Sequence, residues 1–86
     1  MKKITSDAHC IKFSKLDLEN KTALVRFSWV SHTKYRMNVV GFSEEGNIIL
    51  EPAVLTREKI QYHVKPENGQ FKVEEWLLAV TKVVNA

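Results

Sequence analysis

The sequence predicts an α+β fold: an antiparallel sheet of about five or six strands, as a meander or a partly open barrel, with one C-terminal amphipathic helix. Three observations carry this expectation. Apolar and polar residues alternate through most of residues 9–73, the period of half-buried strands. Gly and Pro are scarce and fall between the alternating segments, at Gly41, Gly46, Pro52, Pro66 and Gly69. The last segment, "EEWLLAVTKVVNA", leaves that period for a spacing near 3.6. Strands first and a helix last is an α+β layout.

The first strand lies in "AHCIKFSKL", with His9, Ile11 and Phe13 on one face and Cys10, Lys12 and Ser14 on the other. "DLENK" turns the chain. "TALVRFSWV" then sets Ala23, Val25, Phe27 and Trp29 inward, and "KYRMNVVGF" sets Tyr35, Met37 and Val39 inward. A three-residue loop, Ser31-His32-Thr33, would pair Trp29 with Tyr35, Phe27 with Met37 and Val25 with Val39. Slipping that register by one would drive Arg36 onto the apolar face, which burial forbids.

"SEEGN" is a hairpin turn with Gly46 supplying a positive φ. "IILEP" is the next strand, closed by Pro52. Residues 53–59, "AVLTREK", read equally as a loop or a helical turn capped by Thr56. Beyond them, Ile60, Tyr62 and Val64 share a face with Phe71 and Val73. The Pro-Glu-Asn-Gly between them marks a second hairpin. In the tail, Val73, Trp76, Leu77, Val80, Val83 and Val84 line one side of a helix, with Glu74, Glu75, Thr81 and Lys82 opposite; the competing readings are a strand at the Val-rich end and a helix over residues 56–64. Acidic residues at its start and Lys82 near its end suit the helix dipole.

Length and composition bound the rest. The 86 residues form a single small globular domain, 1–86. A domain of this size buries only about 60% of its unfolded surface, so its core is thin. The hydrophobic fraction of 44% is too high for a disordered chain. One cysteine, Cys10, excludes an internal disulfide, and a cytoplasmic setting is expected. "MKKITSDAHC" has no apolar run behind its lysines, so no signal peptide is expected. "WLLAV" falls far short of the ~20 apolar residues that span a bilayer, and no membrane partner is expected.

Net charge is +3 and unevenly spread. Residues 1–40 hold eight Lys and Arg against three Asp and Glu, a balance of +5; residues 41–86 stand at −2. The cationic field thus belongs to the first half and favours anionic partners.

No catalytic, cofactor or metal site is expected. The chain has no Gly-rich phosphate loop, CxxC, HxxxH or HExxH. His9 and Cys10 are neighbours on a strand and point to opposite faces, so they are not a dyad. Glu44 and Glu45 sit in a turn, and Glu74 and Glu75 point apart, so neither pair converges for acid–base work.

The stretch "VRFSWVSHTKYRM" interleaves aromatics and cations in sequence but separates them in space. Phe27, Trp29, Tyr35 and Met37 point inward; Arg26, Lys34 and Arg36 point outward. The plain reading is a core face backed by a solvated basic face, with Tyr35 and His32 near enough to the loop to flank the cations. The outward positions also hold Leu24, Val30, Val40 and Phe42. An apolar surface with arginines is typical of protein interfaces.

The leading expectation is therefore a non-enzymatic binding or regulatory protein, of inhibitor or adaptor type, working through a protein–protein interface at Arg26, Lys34, Arg36, Val40 and Phe42. Accessory proteins of phages and mobile elements are often of this size. The alternative is a nucleic-acid-binding domain holding DNA or RNA phosphates with Lys12, Arg26, Lys34 and Arg36. An immunity-type inhibitor of a toxin nuclease would need an acidic face, which the second half alone offers. A strand left at the sheet edge would allow a homodimer.

Overall fold

The computed structural model describes residues 4–28, 33–54 and 59–84, the side chains of 4–8, 83 and 84 excepted. The strands are β1 (Ile4–Asp17), β2 (Thr22–Phe27), β3 (Tyr35–Phe42), β4 (Ile48–Pro52), β5 (Lys59–Val64) and β6 (Trp76–Val84). Each pairs antiparallel with the next, and β6 returns to β1, so the sheet closes into a barrel. The long β1 serves twice. Ile4 to Lys12 pairs with β6, and Ile11 to Asp17 pairs with β2.

The α+β expectation is overturned: the fold is an all-β closed barrel, and no helix is present among the described residues. The segment expected to be helical is β6. Its 3.6-like spacing arises because this strand carries apolar side chains on both faces: Leu77 and Ala79 are buried, Trp76 and Leu78 exposed. Val80, Thr81, Val83 and Val84 are β-branched, which costs rotamer freedom in a helix and suits a pleated surface. Position decides the matter. As a strand, β6 satisfies the backbone of β1 from Lys12↔Trp76 to Ile4↔Val84, groups that a helix would leave unpaired. Closure gives every strand a neighbour on both sides.

The barrel interior is filled by side chains. β1 gives Ile11 and Phe13; β2 gives Ala23, Val25 and Phe27; β3 gives Met37 and Val39. β4 adds Ile48 and Leu50, β5 adds Val64, and β6 adds Leu77 and Ala79. The inward parity read from β2 and β3 matches this burial, but their register does not match the expected one. Val25 pairs with Tyr35 and Ala23 with Met37, a slide of four positions from Val25↔Val39. The connection spans residues 28–34, longer than the three-residue loop expected. A slide by an even number keeps every side chain on its face, so the alternation cannot exclude it. Trp29, Val30, Ser31 and His32, and the Thr56 cap within residues 53–59, lie outside the described residues.

Two bulges reset the facing pattern. On β1 the register shifts between Phe13 and Lys15, leaving Ser14 as the extra residue and turning Leu16 inward. On β3 it shifts between Val39 and Gly41, with Val40 as the extra residue. Phe42 then pairs with Ile48 and leaves the outward face it was expected to share with Arg36.

The expected second hairpin does not form. β5 pairs with β4 and β6 instead of residues 71–73. The Glu67–Gln70 turn exists by itself, held by reciprocal backbone hydrogen bonds, with Asn68 and Gly69 at positive φ. Beyond it, Phe71 folds over one end of the barrel. Its ring lies edge-on to Phe13 at 6.4 Å and tilted against Phe42 at 6.1 Å. Glu74 N–H, donating to the Phe13 carbonyl at 2.7 Å, pins this plug to β1. The barrel is thus corked by an aromatic loop residue, where a helix was expected.

Candidate functional site

The chemistry concentrates on the outer wall formed by β1, β2 and β3 and on the barrel end opposite the plug. On the wall, Lys12 stands across from Arg26. After the β1 bulge, Lys15 stands across from Leu24, which pairs on its other side with Arg36. Lys34 directly precedes β3, next to the last pair of this ladder, Val25↔Tyr35. Lys12, Lys15, Arg26 and Arg36 therefore face one way, and Asp17, two residues beyond Lys15, is the carboxylate at the end of this wall. The ion pair found among the described residues, Lys72 to Glu75 at 3.8 Å, lies elsewhere. The Arg26 side chain is half-buried, and its Nε is enclosed without a hydrogen-bond partner.

β6 extends this wall. Trp76 is 44% exposed and pairs with Lys12 across the β1–β6 seam. The Lys12 Nζ sits 4.7 Å from the centre of the indole ring. Neighbouring strands lie about 4.8 Å apart, so the row Trp76, Lys12, Arg26 spans roughly 10 Å. Leu78, also exposed, follows Trp76 outward and pairs with Cys10.

At the open end, three inward-facing aromatics meet. Phe27 lies 5.2 Å from Tyr35 and 5.2 Å from Tyr62, centre to centre. They line a pocket of about 570 Å³ that also touches Ile60, Lys34 and Arg36. Among the described residues its lining holds no carboxylate. Burial raises the Tyr62 phenol above its ordinary range, and the nearby Tyr35 adds to the shift. Tyr62 therefore stays protonated at neutral pH.

The opposite wall is quieter. Gln61 Nε2 donates to Glu51 Oε1 at 3.1 Å, and Gln61 Oε1 faces His63 Nε2 at 3.4 Å. Burial lowers the His63 pKa, Lys82 lowers it further, and Glu45 partly opposes them. Cys10 and His63 stand on opposite sides of β6, paired to Leu78 and Val80, so they form no dyad. Among the described residues no cluster of three or more His, Cys, Asp or Glu is placed to hold a metal. None of their helices is long and apolar enough to cross a membrane.

Of the residues singled out from sequence, Lys12, Arg26, Lys34 and Arg36 come together on one wall. Val40 is 52% exposed at the β3 bulge, beyond Asn38 on the same strand. Phe42, though 54% exposed, belongs to the plugged end. Sequence reasoning missed Lys15 and Trp76. Trp76 was hidden by its assignment to a helix; the β-branched run after it was the signal that could have revealed it. The separation of aromatics from cations holds along the middle of the strands. It fails at the open end, where Tyr35 meets Lys34 and Arg36, and at the seam, where Trp76 meets Lys12. No protein family, curated protein or solved structure matches this chain.

Proposed function

We propose that this chain is a non-enzymatic binding module whose basic wall holds single-stranded nucleic acid. Lys12, Arg26, Lys34 and Arg36 contact phosphates, and Trp76 offers its ring to a base. The observation that carries this reading is the placement of Trp76 beside Lys12, with Arg26 the next residue along the row. Strand binding of this kind combines a cationic track with exposed aromatic rings on the same face. A cytoplasmic setting, with Cys10 as a free thiol, belongs to the same proposal.

Fluorescence anisotropy with a labelled thymidine oligonucleotide tests it. Four phosphate contacts on a single strand give a log–log salt slope of roughly −3. Affinity is then expected to fall about fiftyfold between about 50 and about 200 mM salt. Arg26→Gln with Lys12→Gln is expected to halve that slope while leaving the barrel folded. Absence of binding at low salt would overturn the reading.

A protein partner on the same wall is the second reading, favoured by Val40, Leu78 and Trp76 all being exposed there. An inhibitor or adaptor built on such contacts would bind with little dependence on salt. In that case Arg26→Ala with Arg36→Ala would weaken capture of the partner.

A further inference from the structure

The open-end pocket is separate from the row of phosphate contacts, and its lining suggests a second task. Its floor and sides are rings: Phe27 at the bottom, with Tyr35 and Tyr62 each 5.2 Å from it. Its volume of about 570 Å³ lies within the range of small-ligand sites, which are mainly apolar with a few placed polar groups. Among the described residues, the charged groups that line it are Lys34 and Arg36. Both also belong to the basic wall, so the pocket opens where the cationic row ends. A ligand suited to this site has a flat aromatic body and an anionic group at one side. A nucleotide unit has that form.

We propose that the pocket receives one base of the bound strand, its ring packed against Tyr35 and Tyr62, with the attached phosphate held by Lys34 and Arg36. This rests on the single-strand reading of the wall and goes beyond it: the pocket adds an enclosed place for a second base beside the one that Trp76 offers on the wall. The Tyr62 hydroxyl, protonated at neutral pH, can donate to a carbonyl or ring nitrogen on the base edge. Every base has a face to stack, so the pocket tolerates any base while refusing a bare sugar-phosphate chain.

The test compares a labelled ten-residue thymidine oligonucleotide with an abasic oligomer of the same length, by anisotropy at one fixed salt concentration. Wild-type protein is expected to bind the thymidine strand roughly a hundredfold more tightly than the abasic one, about tenfold from Trp76 and about tenfold from the pocket. Tyr35→Ala is expected to remove the pocket's share of that advantage and leave abasic binding unchanged. Trp76→Ala serves as the control for stacking on the wall. Should Tyr35→Ala loosen the barrel end, the Tyr35 and Tyr62 ring resonances of wild-type protein give an independent readout, since a stacked base shifts both. Equal binding of the two oligomers would overturn the pocket proposal and the stacking role of Trp76, while leaving the phosphate contacts of the wall standing. A base-dependent advantage lost in Trp76→Ala but kept in Tyr35→Ala would overturn the pocket proposal alone. No binding of either oligomer would overturn both.

Discussion

Lys12 lies over the indole of Trp76, its ammonium 4.7 Å from the ring centre, across the seam that closes the barrel. The contact joins the strand that begins the sheet to the strand that completes it. It also puts a cation and an aromatic surface on the same outward face. An exposed pair of this kind is worth about 0.5–1 kcal/mol. Its contribution to stability is therefore small, and its consequence for recognition is larger.

The first prediction separates those two roles. In a double-mutant cycle of Lys12→Gln and Trp76→Leu, urea unfolding is expected to give a coupling below about 1 kcal/mol. Oligonucleotide affinity of Trp76→Leu alone is expected to drop roughly tenfold. An unchanged affinity would take Trp76 out of the interface.

A second prediction tests the inward and outward alternation along β6. Leu77 is buried in the barrel and Leu78 is exposed. Leu77→Ala is expected to cost about 2–5 kcal/mol in urea unfolding. Leu78→Ala is expected to cost about 0.5 kcal/mol or less, as surface changes usually do. Similar losses at both positions would contradict the alternation that closes the barrel.

The plug gives a ranking. Phe13 is fully enclosed, Phe71 half-buried and Phe42 exposed, though the three rings form one chain. Phe13→Ala is expected to cost about 3–5 kcal/mol, Phe71→Ala about 2 and Phe42→Ala about 1. Oligonucleotide binding is expected to survive Phe42→Ala, because that residue sits at the end away from the cations. Reversal of the ranking in equilibrium unfolding would mean that Phe71 does not cork the barrel.

The pH dependence has two components of the same sign. The Asp17 carboxylate accepts from the Asn20 side chain at 2.7 Å and from its backbone N–H at 3.1 Å, which lowers its pKa. Its contribution is present above the ordinary carboxylate range and is lost as pH falls through the depressed folded value. Burial lowers the His63 pKa, so the unfolded chain binds the His63 proton first as pH falls. Stability is therefore expected to decline as pH drops through the ordinary histidine range, and again in the acid range. His63→Gln is expected to flatten the upper step in a series of thermal melts. Persistence of that step would assign it to another group.

The inner faces of β2 and β3 were legible in the sequence because alternation has period two and burial enforces parity. Ala23, Val25, Phe27, Met37 and Val39 face the core as their pattern says. What alternation cannot encode is a slide by an even number of residues, and β2–β3 slid by four positions. Nor does it reveal where a bulge inserts a residue, and Val40 moved Phe42 to the other side of its strand. β6 misled for a different reason. A strand apolar on both faces resembles one side of a helix, and only its partner, the unpaired half of β1, decides between them. The cationic row was readable because Lys12, Arg26 and Arg36 occupy outward positions on adjacent strands, with Lys34 just before β3. Its aromatic companions were not, since Trp76 and the Phe27, Tyr35 and Tyr62 cluster depend on which ends of the barrel close.

The ladder between Ile4 and Val84 has a kinetic consequence. It joins residues eighty positions apart in sequence, so the loop-closure entropy it must overcome is among the largest this chain can present. A ribosome releasing the chain from its N-terminus leaves Ile4 to Ala8 without their ladder until the final strand emerges. During that interval the nascent protein carries an exposed strand edge, the kind of template on which chains misassociate. Folding is therefore expected to be slow for so small a domain and to finish with the seam, making β6 the last strand to gain protection from amide exchange.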